Sequence, residues 1–294
     1  MILESYLDER KKLIDRAIES FLPVPETYPA IIHEAMRYSA LNGGKRIRPV
    51  LALAAAEAVG GSVEEALPAA CAVELIHAFS LIHDDLPCMD DDDLRRGKPT
   101  SHRVFGEAVA LLAGDALFAL AFETITRTPD TVPPDVTVRV LKIIASASGT
   151  GGMVGGQVQD LLAEGTEAGI EQVQLIHRLK TGALIRASVL IGGEIGGGNP
   201  DQMAALSEYG EQIGLAFQIV DDILDVEGEE SAIGKKVGSD EKLDKVTYPA
   251  VLGIAASRRA AEDAAKAAAR AVDIFGSQGG VLAGIAEYIV SRKV

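Results

Sequence analysis

The chain predicts an all-α protein, a single large bundle of antiparallel helices, on three grounds. Apolar residues recur at helical spacing over nearly the whole length, and no two-residue alternation bounded by turns stands out. Aromatic residues make up only 4% and Trp is absent, while Ala, Leu and Ile dominate, which suits close helix packing better than a β-sandwich. The breaks are short, at Asn42-Gly43-Gly44, Gly60-Gly61, Thr131-Val132-Pro133-Pro134 and Gly196-Gly197-Gly198. Short connections make consecutive helices antiparallel neighbours. No repeat or linker divides the 294 residues, so residues 1–294 are expected to form one domain with a substantial core.

Each element has its own signal. Leu3, Leu7, Ile14 and Ile18 form an apolar stripe on the first helix. Ser62 with Glu65 three residues later reads as a capping box opening a long helix from about Val63 towards Asp85, ended by Pro87. Asn199-Pro200-Asp201-Gln202 reads as cap, first-turn proline and acidic first turn of a second long helix, reaching about Val226. The glycines between Gly149 and Gln157 lack the Lys-Ser/Thr ending of a phosphate-binding P-loop and follow no strand, so they are read as a site of close helix approach.

Composition narrows the function. Hydrophobic residues are 48% and charged residues 24%, as in a soluble globular protein. A formal net charge of −15 argues against nucleic acid and means that an anionic substrate must be drawn in by metal and local arginines. Cys71 and Cys88 provide no disulfide framework, no basic-then-apolar signal opens the chain, and the apolar stretch from Ala108 to Phe122 is interrupted by Asp115. A cytoplasmic protein without stable membrane insertion is expected.

The chemistry concentrates in two aspartate clusters about 130 residues apart. Asp84, Asp85, Asp90, Asp91, Asp92 and Asp93 put six carboxylates into ten positions, and Asp221, Asp222 and Asp225 share a helix face. Two ionised carboxylates 4 Å apart repel by about 4 kcal/mol at an effective dielectric near 20, so folding alone would not favour such crowding. Hard cations do, and Mg2+ characteristically combines a few carboxylates with substrate phosphates. Arg95-Arg96 follow the first cluster and Lys235-Lys236 the second. Gly43-Gly44-Lys45-Arg46-Ile47-Arg48-Pro49 sets three cations before a helix start, where backbone N–H groups also favour an anion. An exposed basic turn is the equally weighted alternative for that loop.

In Leu81 to Asp90 and Asp93 to Thr100, the chain resembles the first aspartate-rich motif of trans-prenyltransferases. Gly43 to Pro49 is similar to their Gly-Gly-Lys-x-x-Arg-Pro element, and Phe217 to Asp225 to their second aspartate motif. Lys180-Thr181 and Gly234-Lys235-Lys236 fall in the expected order. The likeness runs from about Ala35 to Arg292 and is nearest to bacterial farnesyl diphosphate synthases. It implies an isoprenoid-synthase bundle around a central apolar cavity, and head-to-tail condensation of an allylic diphosphate with isopentenyl diphosphate. It further implies about three Mg2+ ions per site (Mn2+ being the alternative) and a homodimer. Asp84 and Asp90, supported by Asp85, would hold Mg2+ on one side of the allylic diphosphate, and Asp221, with Asp222 and Asp225, on the other. Arg95, Lys180, Lys235 and Lys245 would hold that diphosphate. Lys45, Arg48, His77 and Arg96 would hold isopentenyl diphosphate. Thr181, Gln218 and the Lys180 carbonyl would face the allylic cation.

His77 is, without the family, an ordinary core histidine. Its Glu74-x-x-His77 spacing could also signal a di-iron site, but a second such pair is missing. His33, His102 and His177 carry no assignment beyond structure. In the resembled family the residue five before the first aspartate, here Phe79, sets the floor of the chain pocket, about 7.5 Å along the helix from Asp84. With small Ser80 beside it, the product expected is farnesyl, the alternatives being geranylgeranyl, geranyl, or plain core packing at Phe79. A terpene cyclase would carry an Asn/Asp-Ser/Thr-Glu second motif and lack Lys45 and Arg48. A non-catalytic partner subunit would tend to lose one aspartate motif, and both are intact.

Overall fold

The computed structural model describes residues 3–166, 169–227 and 245–291, so Lys235 and Arg292 lie outside the described residues. The chain opens with α1 (Leu3–Phe21), α2 (Ala30–Ala40), α3 (Ile47–Ala58) and α4 (Val63–Asp84). A minute antiparallel hairpin follows, β1 (Leu94–Arg95) and β2 (Lys98–Pro99), with Leu94 opposite Pro99. Then come α5 (Ser101–Phe105), α6 (Glu107–Ile125), α7 (Pro134–Ser148), α8 (Met153–Ala163) and α9 (Ile170–His177). A π-helical turn at Arg178–Gly182 leads into α10 (Ala183–Ile195) and α11 (Pro200–Glu227). The chain closes with α12 (Tyr248–Leu252), α13 (Ile254–Ala271), a 3₁₀ segment (Asp273–Gly279) and α14 (Gly280–Ser291). The all-α expectation holds, with the four-residue hairpin as its one β feature among the described residues.

The core is the inside of this bundle. α4 packs along α6 and α3, and α10 is wedged between α3 and α11. Leu75, Ile76, Leu117, Ile191 and Ile213 are wholly buried there, each contributing about 1.5–3 kcal/mol relative to exposure. The apolar stripe of α1 is completed by Tyr6, whose hydroxyl donates to Glu57 of α3. α11, about 42 Å long at 1.5 Å per residue, is fastened to α14 by Tyr209, which donates to the Leu282 carbonyl at 2.8 Å.

The caps differ from one another. Asn199 and Gln202 cap α11 reciprocally: Gln202 N donates to Asn199 Oδ1 at 3.0 Å, and Asn199 N to Gln202 Oε1 at 2.9 Å. The capping box expected at Ser62 and Glu65 does not form. Ser62 instead donates to Glu64 Oε2 at 2.8 Å, and Glu65 accepts from Thr131 Oγ1 at 2.6 Å. A nearer carboxylate has taken the hydroxyl, and a distant loop has taken the glutamate.

Within the Gly149–Gln157 run, close approach to another element explains Gly156, while Gly151 has open space around it and Gly149, Gly152 and Gly155 face their own preceding turn. A Cβ on Gly156 would lie 2.1 Å from the backbone nitrogen of Lys180, and one on Gly214 would lie 2.9 Å from Gly182 Cα. α8 and α11 thus press directly on the π-helical turn that carries Lys180 and Thr181, and such turns recur at functional sites.

α4 and α6 are long and apolar enough to cross a membrane, but 67% of the apolar stretch of α4 is buried inside the bundle, against 44% for α6. The exposed side of α6 carries Leu111 and Leu112, and α8 exposes Val154, Val158 and Leu162.

Candidate active site

The first acidic cluster begins where α4 ends. The chain turns back on itself through Asp90 N to Asp84 O at 2.9 Å and Met89 N to Leu86 O at 2.8 Å. Thr100 then fastens the far side of the loop by donating its hydroxyl to the Asp92 carbonyl at 2.8 Å. Asp85 is buried and accepts from Arg95 Nε at 3.0 Å, and Arg95 Nη2 also reaches Asp92 at 3.1 Å. Asp84 has no ion-pair or hydrogen-bond partner for its side chain among the described residues. Burial pushes its carboxyl up to about 6, Lys180 and Arg95 pulling it down and Asp90 and Asp85 pushing it up. Asp85 also rises to about 6, mainly by burial, against the pull of Arg95.

The second cluster is held differently. Asp222 is buried and accepts from the Gln218 amide at 3.0 Å and from Tyr248 N, at the start of α12, at 3.0 Å. His177 Nε2 lies 3.4 Å from the same carboxylate, and its ring stacks on Tyr248 with centroids 5.4 Å apart. Burial lowers His177 to about 4, so at neutral pH its contact with Asp222 is dipolar and not an ion pair. Gln218 is fixed from its other end by Thr181, which donates to its carbonyl oxygen at 2.7 Å. Asp225 is buried one turn further along α11.

Cations bridge the clusters. Lys245, which leads into α12, donates to Asp90 at 3.1 Å. Lys180 is paired with Asp160 of α8 at 2.6 Å while its charge also acts on Asp84. Arg48 in the first turn of α3 feels Asp221 of α11 and lies 6.0 Å from the Phe217 ring centroid. The two clusters therefore belong to one end of the bundle.

Beside them lies a cleft, open to solvent, whose lining includes Tyr38, Arg46, Glu74, His77, Arg95 and Arg96. Its electrostatics are lopsided. His77 is pushed well below the usual imidazole range by burial and then by Arg48, Arg96, Arg95 and Arg46. Burial also lowers Arg48 and Arg96. The Nε of Arg48 is buried without a hydrogen-bond partner. Arg96 rests its guanidinium on the Gly43 carbonyl, and the adjoining Gly44 holds φ at 119°, a conformation that keeps this position as glycine.

The sequence-expected residues are thus distributed as follows. Asp84, Asp85, Asp90, Arg95, Lys180 and Lys245 meet through contacts or fields, and His77 and Arg96 line the cleft, where the charge of Arg48 also acts on His77. Thr181, Gln218 and Asp222 form one hydrogen-bonded chain. Lys45 lies in the loop before α3. Phe79 meets His83 edge-on with centroids 4.7 Å apart and Phe118 at a tilt with centroids 5.0 Å apart, and Ser80 donates to the His77 carbonyl at 2.9 Å. Sequence reasoning missed Asp160, His177 and Tyr248. Only His177 left a trace, three residues before Lys180. Among the described residues no three His, Cys, Asp or Glu side chains are close enough together to hold an ion by themselves. Asp85 and Asp90 meet basic partners, and Asp222 meets an amide and a backbone N–H.

Comparison with known proteins agrees with this geometry. Residues 29–274 match the family model described as polyprenyl synthetase. The chain is 52% identical over 88% of its length, and 70% of the relative's, to the heterodimeric geranylgeranyl pyrophosphate synthase large subunit 1 of Arabidopsis thaliana. It is 46% identical over 99% of its length, and 98% of the relative's, to the farnesyl diphosphate synthase of Geobacillus stearothermophilus. The apo crystal structure of an FPP/GFPP synthase from Zymomonas mobilis superposes with a TM-score of 0.88 at 40% identity, covering 98% of this chain and 99% of that one.

Proposed function

We propose, on the premise that this chain belongs to the polyprenyl synthetase family, that it condenses isopentenyl diphosphate with dimethylallyl and geranyl diphosphates to give farnesyl diphosphate. That it is a prenyltransferase acting on diphosphates follows from the family. The observation that supports the diphosphate site is the gathering of guanidinium groups around His77. Arg46, Arg48, Arg95 and Arg96 act together on His77, and Arg48 keeps an orphan buried N–H. Glu74 and Asp85 already accept from Arg46 and Arg95, and a diphosphate would supply the acceptor that Arg48 lacks.

The residues fit Mg2+. The donor set is all oxygen, and Asp84 is a carboxylate that burial raises to about 6. Asp84 and Asp90, with Asp85, would hold the ion on one side, and Asp221 and Asp225 on the other. Asp222 serves mainly to hold Gln218 and Tyr248. When bound, Mg2+ supplies positive charge opposite the departing diphosphate.

The remaining work falls to the chain. Arg95, Lys180 and Lys245, which now neutralise Asp85, Asp160 and Asp90, would turn to the allylic diphosphate and stabilise it as the C–O bond ionises. Lys235 would join them. Lys45, Arg48, His77 and Arg96 would hold isopentenyl diphosphate so that its double bond faces the allylic cation. Thr181 fixes the Gln218 amide, and with the Lys180 carbonyl these dipoles would face that cation. The released diphosphate would accept the proton.

Phe79 supports the farnesyl product, because its ring is braced by Phe118 and His83 and has little freedom to yield to a longer chain. Geranylgeranyl diphosphate is the second reading, favoured by the 52% identity to the plant relative. The exposed apolar residues of α6 and α8 support a homodimer. Two free thiols fit a reducing cytoplasm. The test is direct: incubate the protein with Mg2+, isopentenyl diphosphate and each allylic starter, then size the alcohols after phosphatase treatment. Farnesol is expected, with longer alcohols from Phe79→Ala. Geranylgeraniol from the unaltered protein would overturn the product assignment.

A further inference from the structure

Lys45, Arg46 and Arg48 share one loop but not one environment. Arg46 is 3% exposed and sits in the left-handed region at φ 53°, immediately before α3. Its guanidinium donates in three directions: Nε to Asp15 of α1 at 2.8 Å, Nη1 to Glu74 of α4 at 2.8 Å, and Nη2 to the Ala40 carbonyl closing α2 at 2.9 Å. Its own carbonyl accepts the first backbone bond of α3, from Val50 N at 3.0 Å. The side chain therefore joins three helices, α1, α2 and α4, and the backbone of the same residue opens a fourth, α3, while the side chain also lines the cleft.

We propose that Arg46 is a positioning residue for the isopentenyl diphosphate subsite, holding the loop that bears Lys45 and Arg48 in register with His77. The inference rests on reading this cleft as that subsite. Glu74 and His77 are three apart on one face of α4, so the residue that receives Arg46 and the residue that meets the substrate move together. A backbone in the left-handed region persists in a non-glycine residue only where its surroundings impose it, and here three acceptors in fixed directions do so. A planar fork matches three such directions; a lysine ammonium does not.

A merely structural Arg46 would affect both substrates alike. The test is the double variant Arg46→Met with Glu74→Leu, which replaces a buried ion pair by apolar groups of similar volume and so preserves the fold. The KM for isopentenyl diphosphate is expected to rise about 10-fold or more, with the KM for geranyl diphosphate within about two-fold of the parent. Should the double variant fail to fold, Arg46→Lys reads the same split, with a rise of about five-fold for isopentenyl diphosphate alone. An unchanged isopentenyl diphosphate KM, or equal rises for both substrates, would overturn the proposal. Failure of the parent protein itself to bind isopentenyl diphosphate in calorimetry would instead sink the reading of the subsite, before any variant is made.

Discussion

The two acidic clusters differ in how each is held. The first lies at a helix end and in a loop, and its carboxylates face Arg95, Lys180 and Lys245. Two of its members are raised to about 6 by burial. The second lies within an unbroken helix, and Asp222 is satisfied by an amide, a backbone N–H and a neutral imidazole. Burial raises two carboxylates of the first cluster, whereas within the second Asp222 orients Gln218 and the start of α12.

Replacing one residue from each cluster should separate them most sharply. Asp84→Asn is expected to lower kcat by about 10³-fold, the scale of losing a key electrostatic contribution to the transition state. It should at the same time stabilise the ligand-free protein by about 1–3 kcal/mol at pH 7, because a buried carboxylate whose pKa is raised resists ionisation. Asp222→Asn should do the reverse. It presents an N–H to donors already aimed at it, so stability falls by about 1–3 kcal/mol while activity falls less, about 10-fold. Urea denaturation beside steady-state kinetics reads both, and equal signs for the two stability changes would break the comparison.

A smaller effect lies in the pH dependence. Asp84 and Asp85 titrate near 6 in the folded protein against about 3.9 unfolded. Between those values the folded state holds more protons, so their contribution to stability falls as pH rises. His177 does the opposite, titrating near 4 when folded against about 6.5 unfolded, so its contribution grows as pH rises through that window. The two trends offset each other. In chelator, the double variant Asp84→Asn with Asp85→Asn should therefore gain stability more steeply between pH 4 and about 6.5 than the parent does. Identical slopes would mean that burial does not strain the first cluster.

The same contrast explains what the sequence could reveal. α4 and α11 were legible because apolar period, proline and cap signals agree, and the Asn199–Gln202 cap formed as read. The aspartates were legible because six carboxylates in ten positions have few other uses. What stayed hidden depended on contacts between distant residues. Glu65 went to Thr131, Asp160 went to Lys180, and Asp222 was drawn to Tyr248 across 26 positions. Arg46 was counted among three cations but given no role, because a three-cation loop carries no mark of which side chain turns inward.

The central claim is that both clusters serve one diphosphate together with Mg2+, and inorganic pyrophosphate binding tests it most directly. Calorimetric titration should show binding to the unaltered protein only with Mg2+ present, and marked weakening in both Asp84→Asn and Asp221→Asn. Pyrophosphate binding that persists unchanged in chelator, or that ignores either substitution, would contradict the account.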